Sequence, residues 1–255
     1  MRNIDKIGLI VILVVVFLLA WFSYFHPRLC LKNVDGHDCI DLGLPSGTLW
    51  ATCNIDADSP YEYGGHYSWG EVTSKDTFRW NTYKYCEGKR FSLTKYNNDT
   101  TFGPILDTLT RLTSSDDVVS HKWGNKWCMP TNDQIRELFD NCEVGPFTDN
   151  GRHYCKCIGP NKQQLIIPYA GWRIRSKHRY SDSLLVIWSR DLRIEKPEMA
   201  YALVITRGKH PVYTRFTRNF GFSVRGVVKM DAKPGAYWGF MKRDLWEWLT
   251  SNMKD

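Results

Sequence analysis

Short apolar runs, separated by glycine, proline, asparagine and aspartate, fill the second half of this chain. Leu184–Trp188 and Ala200–Ile205 are continuous apolar runs, which are typical of strands at the centre of a sheet. Gln164–Pro168 is a shorter run that ends in proline. Thr48–Cys53 and Val212–Phe216 alternate between apolar and polar residues, so they predict half-buried strands. A succession of this kind restricts the chain to a sheet-rich domain.

The segment around residues 114–119 predicts a short helix. Ser114 or Ser115 is placed to cap it. Asp116 and Asp117 follow at the position where acids suit the positive end of the helix dipole. We interpret these two acids as helix-start residues rather than as a catalytic pair.

A second helix is predicted after Met-Pro-Thr. Thr131 and Gln134 stand three residues apart, which is the spacing of a capping box. An apolar stripe at helical spacing follows the box: Ile135, Leu138, Phe139 and Cys142. The stripe indicates a helix that packs on the core. Few helices among many short strands predict an α+β domain.

The C-terminal part contains a closing strand and a separate tail. Phe222–Val228 is predicted to be the last strand. Apolar residues in the tail recur at helical spacing: Tyr237, Phe240, Met241, Leu245, Trp248 and Leu249. We therefore expect an amphipathic helix over residues 231–255. Such a helix packs against the body or lies on a membrane surface.

An uncharged run near the N-terminus predicts a membrane segment. Ile7–Phe25 carries no charged residue, and at about 1.5 Å per residue it spans about 28 Å, close to the thickness of a bilayer core. Trp21 and Tyr24 occupy the place where a cleaved signal peptide has small residues, so we favour an uncleaved signal-anchor over that alternative. The short N-terminal tail favours a body that is periplasmic or on the cell surface.

Eight cysteines lie after this run. An even number in an exported chain permits disulfides. No Cys-x-x-Cys pair occurs, so a four-cysteine zinc site has little support. Cys155 and Cys157 stand two apart, which on a strand places both side chains on one face. Packing, or pairing with distant cysteines, is the favoured interpretation over a metal site.

Six stretches occur in an order that resembles a known family. They are Asp41–Asn54, Tyr63–Glu71, Trp123–Thr131, Ile167–Arg173, Trp188–Ser189 and Gly221–Arg225. Together they closely resemble the Fibrobacter succinogenes major paralogous domain, which is common in Bacteroidetes. The resemblance covers roughly Cys39 to Val228. The chain departs from the family pattern at Cys128, where arginine is usual, and at Gly226, where proline is usual.

The resemblance implies a C-type lectin-like fold, in its branch with formylglycine-generating enzymes. That fold pairs its first and last strands and presents a long irregular region as a binding surface. The expected organisation has four parts: a transmembrane anchor over 1–26, a tether over 27–38, the lectin-like domain over 39–230 and the helical tail over 231–255.

Signals for catalysis are weak in this sequence. The resembled formylglycine-generating enzymes hold copper with a late cysteine pair, whereas the last cysteine here is Cys157. There is no Gly-x-Ser-x-Gly elbow, phosphate-binding glycine loop or His-x-x-x-His pair. The calcium motifs of lectins are absent as well. We therefore expect no enzymatic activity, no cofactor and no bound metal.

Positive charge is concentrated between Gly171 and Arg225. This segment holds twelve Lys and Arg against four Asp and Glu, a net charge of +8, whereas the whole chain carries +7. By the resemblance, the same segment is the exposed region that faces a ligand. Arginines presented in this way bind carboxylates, phosphates or sulfates through paired hydrogen bonds. The alternative without a specific ligand is a solvated basic surface that aids solubility.

The predicted binding residues are the cationic and aromatic side chains of this segment. They are Trp172, Arg173, Arg175, His178, Arg179, Tyr180, Arg190, Arg193, Tyr213, Arg215 and Arg218. We expect them, on a membrane-anchored recognition domain, to bind an acidic glycan, a lipid head group or an acidic protein. Nucleic acid is less favoured because the body is predicted to be exported. There are two alternatives. The first is an assembly subunit of an envelope complex, and the chain could then form an oligomer. The second is an enzyme of the formylglycine-generating type.

Overall fold

The computed structural model describes Gly8, residues 11–17 and residues 30–228. The chain divides into two units, Met1–Cys30 and Leu31–Asp255. Residues 11–17 of the first unit are helical. Among the described residues, no helix has both the length and the apolar character needed to cross a membrane. Most of the predicted anchor over 1–26 and the whole predicted tail over 231–255 lie outside the described residues.

Short strands dominate the described part of the second unit. In chain order they are β1 (Leu31–Val34), β2 (His37–Asp41), β3 (Leu49–Asn54), β4 (His66–Tyr67), β5 (Trp127–Cys128), β6 (Glu143–Asp149), β7 (Arg152–Ile158), β8 (Gln164–Pro168), β9 (Trp172–Ile174), β10 (Lys177–Arg179), β11 (Leu184–Leu192), β12 (Met199–Thr206), β13 (Val212–Thr217), β14 (Gly221–Ser223) and β15 (Arg225–Val228). Two α-helices accompany them, α1 (Val118–Trp123) and α2 (Asn132–Asn141). Trp80–Thr82 and Thr100–Phe102 are single 3₁₀ turns. This sheet-rich α+β architecture confirms the predicted fold class at that level.

The first sheet has five strands in the order β1-β2-β3-β15-β5. Within it β3 pairs with β15, and the register places Trp50 opposite Val227. The pairing between early and late strands that the resemblance implies is therefore present. β1 and the start of β2 lie within residues 27–38, so the segment predicted as a tether is partly sheet. That prediction was wrong for residues 31–38, because they add a hairpin to the edge of β3.

The second sheet contains β10-β9-β14-β11-β12-β13, with β4 paired to β14. Residues that are opposite each other share a face, and neighbours along a strand alternate. One face of the sheet, which carries Val186, Trp188 and Phe222, packs into one core cluster. The other face, which carries Ile187 and Leu203, packs into a second cluster. The sheet is therefore covered on both faces, in agreement with the continuous apolar runs of β11 and β12.

The predicted closing strand Phe222–Val228 is two strands in different sheets. β14 belongs to the second sheet and β15 to the first, and the chain crosses between the sheets at Val224. Val224 is fully buried. A single strand was predicted because apolar residues continue through Val224, where the chain passes from one sheet to the other. Both core clusters require apolar residues at this place. The sequence pattern therefore could not locate the break.

Both helices start on side-chain caps. Thr131 and Gln134 form the predicted capping box: the Gln134 amide donates to Thr131 Oγ1 at 3.1 Å, and the Thr131 amide donates to Gln134 Oε1 at 2.9 Å. The cap of α1 is Asp117, not Ser114 or Ser115. Asp117 also accepts a bond from the Met129 amide at 2.9 Å, so it joins α1 to the start of the α2 segment.

Candidate ligand-binding groove

The hairpin of β9 and β10 forms one edge of the second sheet and carries three of the predicted arginines, Arg173, Arg175 and Arg179, together with His178. Its turn passes through Arg175, which has a positive φ of 54°. Phe78 and Arg175 exchange two backbone hydrogen bonds, each of 2.8 Å. The segment around Phe78, which the sequence did not single out, is therefore fixed beside the tip of the hairpin.

The register divides the predicted binding residues between the two faces of this sheet. Trp172 lies opposite Arg179 and Phe222, so these three side chains share one face. Arg173 lies opposite His178 and therefore faces the other way. On β13, Tyr213 and Arg215 share that second face, since Tyr213 is opposite Leu203. The structure thus does not bring all the predicted residues into one site.

A groove of about 530 Å³ opens between the hairpin and the Phe78 segment. On one side it is lined by Phe78, Arg79, Trp80 and Asn81, with Gly88 nearby. On the other side it is lined by Ile174, Arg175, Thr217, Asn219 and Phe220. We call it the hairpin groove. Two other cavities measure about 150 and 240 Å³, so the groove exceeds both.

An aromatic layer supports the groove from below. Phe220, which lines it, lies 5.9 Å from Trp172 and 5.7 Å from Phe216 between ring centroids. Phe78 is fully buried. A Cβ atom at Gly221 would lie 2.3 Å from the Phe78 ring, so only glycine allows this ring to pack against β14. The Gly221 of the closing motif therefore shapes the base of the groove.

Two cations, Arg79 and Arg175, line the groove, and two more, Lys177 and Arg179, lie on β10 of the same hairpin. All four are exposed. Within the described part of the chain, none of them forms a salt bridge. We call these side chains the hairpin cations. Guanidinium groups without a carboxylate partner are available to bind an anion through paired hydrogen bonds.

Two buried polar atoms close to the groove lack a partner among the described residues. Asn219 is 6% exposed, and its Oδ1 accepts no hydrogen bond. Trp172 Nε1 likewise donates none. An unsatisfied buried polar group costs about 1–3 kcal/mol, so these atoms are candidates for contact with a ligand. Only Asn219 of the two lines the groove.

His178 has a positioning contact behind the hairpin. Its Nε2 lies 2.6 Å from the Ala170 carbonyl oxygen, and His66 Nε2 lies 3.3 Å from the same oxygen. The two rings are 4.8 Å apart. Burial, and then His178, lower the pKa of His66 to about 4. His66 is therefore neutral near pH 7, and the pair fixes β10 to the body.

Arg218 was predicted to be exposed, and that expectation is wrong. Its side chain is fully buried, and Nη1 donates to the Lys95 carbonyl at 3.1 Å. The guanidinium lies 5.5 Å from the Trp69 ring centroid and 5.4 Å from that of Tyr83. Burial lowers its pKa. Arg218 is therefore a core residue, and its Nε and Nη2 have no hydrogen-bond partner among the described residues.

Three further predicted residues make contacts within the body. Arg190 donates to the Leu112 carbonyl at 2.7 Å and lies 3.8 Å from Asp117. Arg193 is paired with Glu195 at 3.5 Å. Tyr213 donates to Asp140 at 2.7 Å. Tyr180, in contrast, is 55% exposed and stands edge-on to Trp172, so it remains at the rim of the hairpin.

The groove includes residues that the sequence reasoning missed. Phe78, Arg79, Trp80 and Asn81 come from a segment to which no role was assigned, and Asn219 and Phe220 precede the closing motif. A cation between two aromatic residues, as in Phe78-Arg79-Trp80, was the available signal. Only the backbone contact between Phe78 and Arg175 shows that this segment lies at the basic hairpin.

Metal ligands and disulfides are not features of this region. Among the described residues, no group of three or more His, Cys, Asp or Glu side chains is arranged to hold a metal ion. Six cysteines form no disulfide: Cys39, Cys53, Cys86, Cys142, Cys155 and Cys157. Cys155 and Cys157 share the buried face of β7, as predicted, and pack in the second core cluster.

Comparisons with protein-family models, with curated proteins and with solved structures found no match to this chain. The function therefore has to be argued from the groove itself.

Proposed function

We propose that this chain is a membrane-anchored, non-catalytic recognition protein that binds an anionic ligand at the hairpin groove. The observation that carries the proposal is the set of hairpin cations, which are exposed and have no carboxylate partner within the described residues. Arginine binds carboxylate, phosphate and sulfate in bidentate geometry. Two of the hairpin cations, Arg79 and Arg175, line a groove of about 530 Å³, which lies within the size range of about 300–1,000 Å³ for ligand pockets.

The proposal takes residues 39–230 to be a major paralogous domain with a C-type lectin-like fold. What supports this assignment is the ordered set of six motifs, together with the pairing of β3 and β15. Most of the motif residues are structural in this fold: Gly221 gives space to Phe78, and Thr131 caps α2. The residues between the motifs therefore determine the ligand specificity.

The proposal also places the body on the periplasmic or cell-surface side of a membrane, anchored by residues 1–26. The uncharged run Ile7–Phe25 supports the anchor.

A direct test measures binding of the full-length protein, in detergent, to anionic and neutral probes. The anionic probes are uronate oligosaccharides, phosphatidylglycerol vesicles and tetraglutamate, each compared with an uncharged counterpart. We expect preference for at least one anionic probe, and weaker binding as salt rises from about 50 to about 300 mM, since exposed charges are screened. No preference for any anionic probe over its neutral counterpart would refute the proposal.

Arginine variants show whether the groove is responsible. Arg79→Ala and Arg175→Ala should each weaken binding about tenfold, because a hydrogen bond to a charged group contributes about 1.5–3 kcal/mol. Arg215→Ala is the matched control: it removes an exposed arginine of β13 that does not line the groove. Equal losses in all three variants would indicate general charge attraction and contradict a site at the groove.

A further inference from the structure

We infer that the hairpin groove binds an acidic saccharide, a sugar chain that carries carboxylate or sulfate groups. The inference rests on the proposed function and narrows its ligand. It depends on the groove offering three kinds of contact together, namely cationic donors, an unsatisfied acceptor and aromatic faces.

The donors and the acceptor require a ligand with two kinds of polar group. Arg79 and Arg175 can only donate hydrogen bonds, so they require anionic acceptors. Asn219 Oδ1 can only accept, and it has no donor among the described residues although Asn219 is 94% buried. A sulfate ion or a fatty carboxylate supplies acceptors alone. An acidic sugar supplies both, because its hydroxyl groups donate.

The aromatic side chains favour a ring-shaped ligand. Trp80 and Phe220 line the groove from its two sides, and both are half-buried, so part of each ring is exposed to a bound molecule. Carbon-bound hydrogens on the face of a sugar ring pack against such aromatic faces. An extended acidic peptide presents alternating side chains and has no comparable flat apolar face.

Further polar residues lie where ring hydroxyls would reach. Asn81 and Thr217 line the groove on opposite sides. An amide and a hydroxyl can each donate and accept, which matches the double character of a sugar hydroxyl. With a volume of about 530 Å³, the groove accommodates a ring with its substituents and not only a single ion.

The test uses calorimetry on the full-length protein with a panel of uronate oligosaccharides: oligogalacturonate, alginate oligomers and hyaluronan fragments. Each is paired with its methyl ester, which keeps the hydroxyls and loses the charge. Heparin oligosaccharides distinguish sulfate from carboxylate, and tetraglutamate keeps charge without sugar hydroxyls. We expect at least one acidic oligosaccharide to bind at least about tenfold more tightly than both its neutral form and tetraglutamate.

Two variants probe the sugar-specific contacts. Asn219→Leu removes the acceptor while keeping similar volume, and Trp80→Ala removes an aromatic face. Each should weaken saccharide binding about tenfold and leave any binding to tetraglutamate unchanged. Arg79→Ala should weaken both. Thermal unfolding of each variant identifies any loss that comes from misfolding, in which case the Trp80→Leu variant, which keeps apolar bulk without an aromatic face, replaces Trp80→Ala.

The outcomes separate this inference from the function it rests on. Anionic probes that bind through Arg79 and Arg175 without any effect of Asn219→Leu or Trp80→Ala would overturn the saccharide and leave anion recognition standing. Tighter binding of tetraglutamate than of every saccharide would also overturn the saccharide inference and leave anion recognition standing. It would favour an acidic protein as the ligand. Failure of every anionic probe would overturn both.

Discussion

His66 occupies an environment that disfavours a charged imidazole. It is 5% exposed, it lies 4.8 Å from the His178 ring, and the positive charge of Arg173 lowers its pKa further. Its Nε2 shares the Ala170 carbonyl oxygen with His178. No carboxylate contributes to the pKa of about 4. A proton on His66 would therefore be buried beside another imidazole and a guanidinium.

This environment predicts a loss of stability in mild acid. The folded-state pKa of about 4 lies below the ordinary histidine pKa of 6.5, so the unfolded chain binds more protons between these values. The contribution of His66 is complete above pH 6.5 and is lost as the pH falls toward 4, by about 2 kcal/mol between pH 7 and pH 5. Urea unfolding at both values measures it.

The variant His66→Gln cannot titrate, so its stability should fall by about 2 kcal/mol less over the same pH range. His121→Gln, at an exposed position on α1, is the control and should keep the parent slope. Parallel pH profiles for the parent and His66→Gln would contradict the prediction.

The counts of Lys and Arg identified the segment that holds the positive charge, but not which of its side chains are exposed. The excess of Lys and Arg between Gly171 and Arg225 correctly indicated the basic hairpin. It did not separate Arg175 and Arg179, which are exposed, from Arg218 and Arg225, which are fully buried. Burial of an arginine depends on carbonyl oxygens that distant segments supply, here Lys95 for Arg218 and Ala51 for Arg225. A local sequence pattern contains no information about such partners.

At the scale of elements, two hairpins carried a sequence signal that was overlooked. Asn150-Gly151 connects β6 and β7, and Asp35-Gly36 connects β1 and β2. All four residues have positive φ, between 46° and 87°, as a type I′ turn requires. Asn-Gly and Asp-Gly are the preferred sequences for that turn. β1, β2, β6 and β7 were therefore predictable from their turns. β3 and β8, which pair with β2 and β7, had already been predicted as strands.

The α2 capping box predicts a measurable local coupling. Thr131 and Gln134 satisfy each other's amide groups, with bonds of 3.1 and 2.9 Å. Thr131→Ala should lower the free energy of unfolding by about 1 kcal/mol. The Thr131→Ala/Gln134→Ala double variant should lose less than the sum of the single variants, because both bonds fix the same first turn and loss of one loosens the geometry of the other. Urea unfolding of the four proteins gives the coupling.

An exposed threonine provides the reference for this cycle. Thr101→Ala, at a surface position, should change the unfolding free energy by no more than about 0.5 kcal/mol. Strictly additive losses at Thr131 and Gln134 would show that the box does not act as a unit.

At the scale of the whole molecule, late strands complete sheets that early strands begin. β15 stands between β3 and β5 in the first sheet, and β14 stands between β9 and β11 in the second. Strand positions were largely predictable from alternation and apolar runs. Strand order was not, except for the β3–β15 pairing that the family resemblance implied. The groove depends on this order too, because Asn219 and Phe220 reach it just before β14.

Arg225 joins the first sheet to a third sheet, which has three strands in the order β6-β7-β8. On β15, its Nε donates to Asn54 Oδ1 at 2.8 Å and its Nη1 donates to the Ala51 and Thr52 carbonyls of β3. Its Nη2 donates to the Ile166 carbonyl of β8 at 3.3 Å. Burial lowers its pKa to about 10, so the guanidinium stays charged near pH 7.

Removing this guanidinium should destabilise the whole body rather than one element. Arg225→Met keeps the apolar stem and leaves several buried oxygens of β3 and β8 without a donor, so we expect a loss of at least about 3 kcal/mol. Arg179→Met, at an exposed position on β10, should stay within about 0.5 kcal/mol of the parent. Tryptophan fluorescence and circular dichroism should show the same lowered urea midpoint, because β3, β8 and β15 lose their common contact together. A loss as small as that of Arg179→Met would mean that the closing strands hold without the arginine.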